Sequence, residues 1–229
     1  MLILYRLIIN VVCLFAPIIL RIRIYKQKED ENRYKEKLCI IKKKKPQGKL
    51  VWFHAASVGE LLSIIPLLEK LEKIKEIKSI LLTTNTLSSS KVFEKKIKSK
   101  KIIHQFFPFD KDIFTKKFLS HWLPDLVIFV ESEIWPNFIL NIKNRNIPLI
   151  LLNARITTKT YLRWKKIPNF AKSIFDSFDI CLSQNKETEK YLTNFGVKKI
   201  KNLGNLKFSS PVSLSSDKLN KNILKMFLK

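Results

Sequence analysis

Lys49-Leu50-Val51-Trp52-Phe53-His54-Ala55-Ala56-Ser57-Val58-Gly59-Glu60 is an apolar run that stops at small residues and then delivers a carboxylate. Leu50 to His54 has the length and the β-branched and aromatic content of a buried strand, whereas Leu61 to Ile74 carries its apolar residues at helical spacing. Ala55 to Gly59 is therefore a strand-to-helix turn. Ser57 is placed to cap the helix, Gly59 lets backbone come close to a ligand, and Glu60 falls in the first helical turn. In an open α/β sheet, ligands bind outside the carboxyl ends of the strands, so Glu60 faces the expected cleft. The helix dipole favours a carboxylate at the same position. Capping and catalysis both stay open on this spacing.

On either side of this stretch the alternation continues. Candidate strands are Leu50 to His54, Ser79 to Thr84, Ile102 to Phe107, Asp125 to Val130, Pro148 to Leu152, Asp179 to Ser183 and Lys198 to Leu203. Between them Leu61 to Ile74, Ser88 to Lys98, Asp110 to His121, Trp135 to Asn144, Lys159 to Phe175 and Lys186 to Phe195 read as helices. This pattern predicts an α/β fold, a Rossmann-like doubly wound parallel sheet covered on both faces. The four glycines, Gly48, Gly59, Gly196 and Gly204, form neither G-x-G-x-x-G nor a P-loop. Dinucleotide and ATP binding are thus disfavoured, and no cofactor is expected.

Met1 to Leu20 is almost wholly apolar, and Arg21, Arg23, Lys26 and Lys28 follow, so residues 1–24 read as a membrane-anchor helix. The basic flank should stay on the cytoplasmic side. Arg6 and Pro17 leave a shallower, interfacial insertion open beside a full span. Residues 25–48 are a basic connector whose lysines would lie near anionic lipid. Residues 49–208 form the Rossmann-like domain. Residues 209–229 read as a linker followed by the start of a further domain.

The chain carries 44 Lys and Arg against 19 Asp and Glu, a net charge of +25, which favours anionic partners. Without a basic stripe and aromatic platforms that charge does not indicate nucleic acid. Cys13, Cys39 and Cys181 are widely spaced with no nearby His, so neither a disulfide framework nor a metal site is expected. His54, His104 and His121 lie in or beside apolar sequence and read as structural groups.

A second acidic cluster closes the strand that ends at Val130, in Phe129-Val130-Glu131-Ser132-Glu133-Ile134-Trp135-Pro136-Asn137. If the strands are parallel, Glu131 and Glu133 project into the same crevice as Glu60. Neighbouring carboxylates raise one another's pKa, which suits a general base; capping of the helix opened by Trp135 and Pro136 is the plainer alternative. Leu151-Leu152-Asn153-Ala154-Arg155-Ile156-Thr157 sets Asn153 and Arg155 at the end of another strand, and the Arg fork suits a phosphate or carboxylate. In Gly204-Asn205-Leu206-Lys207-Phe208 a cation leaves the last strand.

Together F-H-A-A-S-V-G-E, F-V-E-S-E-I-W-P-N, L-L-N-A-R-I-T, L-S-Q-N-K-E-T and G-N-L-K-F closely resemble, in order and at similar intervals, the N-terminal half of 3-deoxy-D-manno-octulosonic acid (Kdo) transferases. The resemblance implies the acceptor domain of a GT-B glycosyltransferase of lipopolysaccharide biosynthesis. It further implies an inner-membrane protein facing the cytoplasm that moves Kdo from CMP-Kdo to a phosphorylated lipid A precursor. On the matching positions it implies Glu60 as general base, with Glu131 and Lys207 stabilising the transition state. Lys207 would offset negative charge either on the departing CMP or on the sugar carboxylate. Ser57, Gly59, Glu133, Asn153 and Arg155 are expected to line the substrate site. Because CMP-Kdo is held by a C-terminal domain in this family, the chain alone is expected to transfer little or nothing. A membrane-tethered module that binds anionic glycolipid without chemistry is the alternative.

Overall fold

The computed structural model describes residues 1–206. Lys207 and the segment 209–229 lie outside the described residues. In chain order the elements are α1 (Leu2–Tyr25), a 3-10 turn (Tyr34–Leu38), β1 (Leu50–His54), α2 (Val58–Glu72), β2 (Ser79–Thr84), α3 (Leu87–Lys96), β3 (Ile102–Phe106) and α4 (Asp112–Trp122). They continue with β4 (Leu126–Val130), α5 (Pro136–Asn144), β5 (Leu149–Ala154), α6 (Thr158–Lys165), α7 (Pro168–Phe175), β6 (Ile180–Ser183), α8 (Lys186–Asn194) and β7 (Ile200–Asn202).

All seven strands are parallel, in the order β3-β2-β1-β4-β5-β6-β7. The order reverses between β1 and β4, whose register pairs Val51 with Leu126 and His54 with Phe129. A doubly wound sheet opens its ligand crevice at such a reversal. The fold is thus the Rossmann-like α/β arrangement predicted from the alternation.

Strand periodicity divides the core between the two faces of the sheet. Leu50 and Trp52 of β1 join Val127 and Phe129 of β4 and Phe118 and Phe138 of the covering helices on one face. Val51 and Phe53 join Ile128, Val130, Leu61 and Ile64 on the other. Each such fully buried side chain contributes roughly 1.5–3 kcal/mol relative to exposure.

Two local readings need correction. The single helix expected over Lys159 to Phe175 is two, α6 and α7, with Pro168 at the first position of the second. Proline lacks the N–H that a continuous helix would need there and pushes its predecessor out of helical geometry. Asp110, expected to begin a helix, lies before α4 and caps a different one. Its carboxylate accepts from the backbone N–H groups of Asn137 and Phe138 in α5, both at 2.9 Å.

Residues between α1 and β1 pack onto the sheet. Lys37 is buried, its Nζ donating to both oxygens of Glu29 at 2.7 Å and to the Asn85 carbonyl at 2.8 Å. Burial depresses its pKa, against the pull of Glu29. Arg33 pairs with Glu36, and Glu36 accepts from the Phe106 N–H at 2.7 Å. Among the described residues α1 is long and apolar enough to cross a membrane.

Candidate functional site

Glu60 is fixed by its own turn. Ser57 Oγ accepts from the Glu60 N–H at 3.3 Å and donates to Glu60 Oε1 at 2.9 Å, while Oε2 accepts from the Ala56 N–H at 2.8 Å. This reciprocal arrangement is a variant of the capping box, with Glu60 reaching the N–H of Ala56 and the hydroxyl of the cap Ser57, so the local reading of Glu60 as a cap describes a real contact. It also holds the carboxylate at the β1 end of the crevice. Burial raises its pKa, and the negative charge of Glu133 raises it further, outweighing the hydrogen bonds from Ser57 and Ala56.

Glu133 reaches the same place from β4. Its Oε2 meets His54 Nε2 at 3.0 Å and accepts from Trp135 Nε1 at 2.7 Å. Burial opposes its charge, yet the His54 and Trp135 contacts bring its pKa below the usual carboxylate value. His54 is itself gripped from behind: Nδ1 lies 3.0 Å from Thr83 Oγ1, and the ring stacks on Phe107 at 3.7 Å between centroids. The two carboxylates therefore have opposite tendencies, Glu133 toward a fixed anion and Glu60, its pKa raised, toward proton acceptance. The Asn137 and Phe138 N–H groups of α5, which capping by the β4 acids would use, are taken by Asp110.

Glu131 and Asn153 make a second group at the ends of β4 and β5. Both are buried and both have left-handed backbone, with φ of 58° and 53°. That conformation is costly for residues other than glycine and persists where the surroundings over-determine it. Asn153 Nδ2 donates to Glu131 Oε1 at 3.4 Å, and its Oδ1 accepts from the Leu206 N–H at 3.2 Å. Asn153 thus ties Glu131 to the loop immediately before Lys207. Arg155 is exposed, its carbonyl accepting from Ser132 Oγ at 2.7 Å, so its backbone is anchored beside Glu131.

Of the expected residues, the structure brings Ser57, Glu60 and Glu133 together at the β1–β4 reversal. It gathers Glu131 and Asn153 beside them on the carboxyl edge of the sheet. Gly59 stands in the first turn of α2 and Arg155 past the end of β5. Sequence reasoning missed His54 as a partner of Glu133. Its position as the last residue of β1, next to the turn that carries Glu60, was the available signal. Among the described residues no group of three or more His, Cys, Asp or Glu could hold a metal ion. Cys13, Cys39 and Cys181 are separately buried free thiols.

Residues 32–210 match the family model described as 3-deoxy-D-manno-octulosonic-acid transferase (kdotransferase). A 3-deoxy-D-manno-octulosonic acid transferase of Rickettsia bellii is 37% identical over 193 residues, 84% of this chain and 46% of that protein. One of Haemophilus influenzae is 30% identical over 165 residues, 71% of this chain and 38% of that protein. The chain spans about half or less of the length of these curated relatives. Among solved structures, UDP-GlcNAc 2-epimerase of Neisseria meningitidis bound to UDP-GlcNAc shares the fold at TM-score 0.50 and 16% identity, over 77% of this chain and 50% of that one.

Proposed function

The chain belongs to the Kdo transferase family, and from that premise we propose that it forms the acceptor half of an enzyme transferring Kdo from CMP-Kdo to the lipid A precursor lipid IVA. The observation that carries this reading is the carboxylate pair at the sheet reversal, Glu60 with its pKa raised and Glu133 held as an anion. Glu60 takes the proton of the acceptor sugar hydroxyl as that oxygen attacks the anomeric carbon. The fixed charge of Glu133 makes Glu60 a stronger base, while His54 and Trp135 keep Glu133 from taking the proton itself.

Bond formation passes through an oxocarbenium-like state, and Glu131, locked by its own backbone and by Asn153, stabilises the positive charge. Lys207 follows the loop that Asn153 holds and offsets negative charge on the departing CMP or the sugar carboxylate. The exposed fork of Arg155, with the N–H groups of the α2 turn at Ser57 and Gly59, suits the phosphates of the acceptor. CMP-Kdo is bound by a second Rossmann-like domain across the cleft. The protein works at the cytoplasmic face of the inner membrane.

A second reading, a membrane-tethered module that binds anionic glycolipid without chemistry, draws on the capping box, which already engages both Glu60 oxygens. Glu60→Gln separates the two. In an assay of the chain combined with the donor-binding half of a relative, transfer from CMP-Kdo should collapse while binding of the phosphorylated glycolipid persists. Full transfer by the variant would remove Glu60 from the chemistry.

A further inference from the structure

The two ring nitrogens of His54 face different neighbours, and the donors and acceptors around them fix where its protons lie. On the β2 side Thr83 Oγ1 donates its single proton to the Phe53 carbonyl at 3.2 Å and accepts from Trp52 Nε1 at 2.9 Å. A lone pair is what remains to that hydroxyl. His54 Nδ1 lies 3.0 Å from the hydroxyl oxygen and 3.2 Å from the Thr83 carbonyl, which can only accept. Nδ1 therefore carries a proton.

On the β4 side Nε2 meets Glu133 Oε2 at 3.0 Å. Glu133 is held below the usual carboxylate pKa and is ionised, so it has no proton to give and Nε2 must donate as well. With both nitrogens donating, the ring is an imidazolium. Its side chain is wholly out of solvent, whereas that of Glu133 is 14% exposed. A cation buried this deeply persists only beside its counter-charge. Glu133 supplies that charge, and Phe107, stacked on the ring, closes one of its faces to water.

The two grips on Glu133 fall on one oxygen. Oε2 takes both His54 Nε2 and, at 2.7 Å, Trp135 Nε1. Oε1 has no hydrogen bond among the described residues, so His54 and Trp135 decide where that free oxygen points. Glu133 and Glu60 sense each other's charge, which puts the free oxygen in the same crevice as the base.

We propose that His54 is a positioning residue held as an imidazolium, and that it locks Glu133 so that Oε1 accepts a hydrogen bond from a hydroxyl of the acceptor sugar. The hydroxyl concerned is a neighbour of the one that Glu60 deprotonates. A charge-assisted bond there orients the sugar ring before attack. Trp52 and Thr83, which hold His54 from behind, carry the rigidity of two packed strands to a side chain that stands on a loop. The role of Oε1 rests on the proposed transfer reaction; the charge on His54 does not.

The first measurement is nitrogen NMR of the histidine rings in the full chain, with His54 assigned through nuclear Overhauser contacts to Phe107. At the pH of the transfer assay both ring nitrogens should be protonated. In Glu133→Gln the proton on Nε2 should be lost while Nδ1 keeps its own. A neutral His54 ring in the unsubstituted chain, or a ring unchanged by Glu133→Gln, would overturn the proposal whatever the transfer assay shows. The second measurement uses the chain combined with the donor-binding half of a relative. His54→Gln should raise the KM of the acceptor roughly tenfold, as the loss of one well-placed charge-assisted hydrogen bond does, and leave the KM of CMP-Kdo in place. Trp135→Phe removes the other grip on the same oxygen without touching the buried ring, and should raise the acceptor KM while His54 stays charged. An acceptor KM that neither variant changes, or a CMP-Kdo KM that rises with it, would overturn the role of Oε1.

Discussion

The β1–α2 turn and the β4–α5 turn begin alike, each closing an apolar central strand and leading into a helix past acidic residues. They are built by opposite means. At β1–α2 the turn is self-sufficient: Ser57 and Glu60, three residues apart, satisfy one another and the free N–H groups around them. At β4–α5 the acids do not cap the helix that follows. Asp110, 27 residues upstream of Asn137, supplies the cap, and Glu131 and Glu133 are released to partners on other strands. A local motif thus fixes one carboxylate, and long-range contacts fix the others.

The largest expected effect comes from the local side. Glu60→Gln should lower transfer in the reconstituted enzyme by about 10²- to 10⁴-fold, measured as initial rate with CMP-Kdo, the range typical of a general base. The thermal midpoint should move little, because Gln can keep the capping contacts.

Next is the remote cap. Asp110→Ala leaves two buried N–H groups of α5 without an acceptor and strips Tyr5 of its partner. It should cost about 2–4 kcal/mol in urea denaturation. Ser57→Ala, which removes the two short-range contacts with Glu60, should cost about 1 kcal/mol. Equal losses from the two variants would break the distinction between the turns.

The smallest effect sharpens the link between them. The rate should rise with pH as Glu60 ionises, and Glu133 holds that rise at higher pH by repelling the second charge. Glu133→Gln removes the repulsion, so the acidic limb of the rate profile should move toward lower pH. A limb that stays in place would show that the two acids do not sense each other.

Much of this fold was legible in residue order. Strand placement followed from short β-branched and aromatic runs, and Ser57, Gly59 and Glu60 announced their turn because a capping box acts over three residues. The split of α6 from α7 is also written there, in Pro168. His54 reads as a structural histidine because it lies in apolar sequence. Its partners, Thr83, Phe107 and Glu133, come from three other segments.

The sequence by itself determined the alternation of strands and helices, and with it the parallel sheet, and the local geometry of Glu60, since each depends on hydrophobic period or on contacts within one turn; membership in the transferase family follows from similarity of its motifs to those of known members. Only the tertiary structure decided that β1 and β4 are neighbours at the sheet reversal, that Glu133 answers to His54, and that Glu131 and Asn153 take left-handed backbone. Those features rest on hydrogen bonds between residues far apart in the chain, which form only when the packed sheet brings them within about 3 Å.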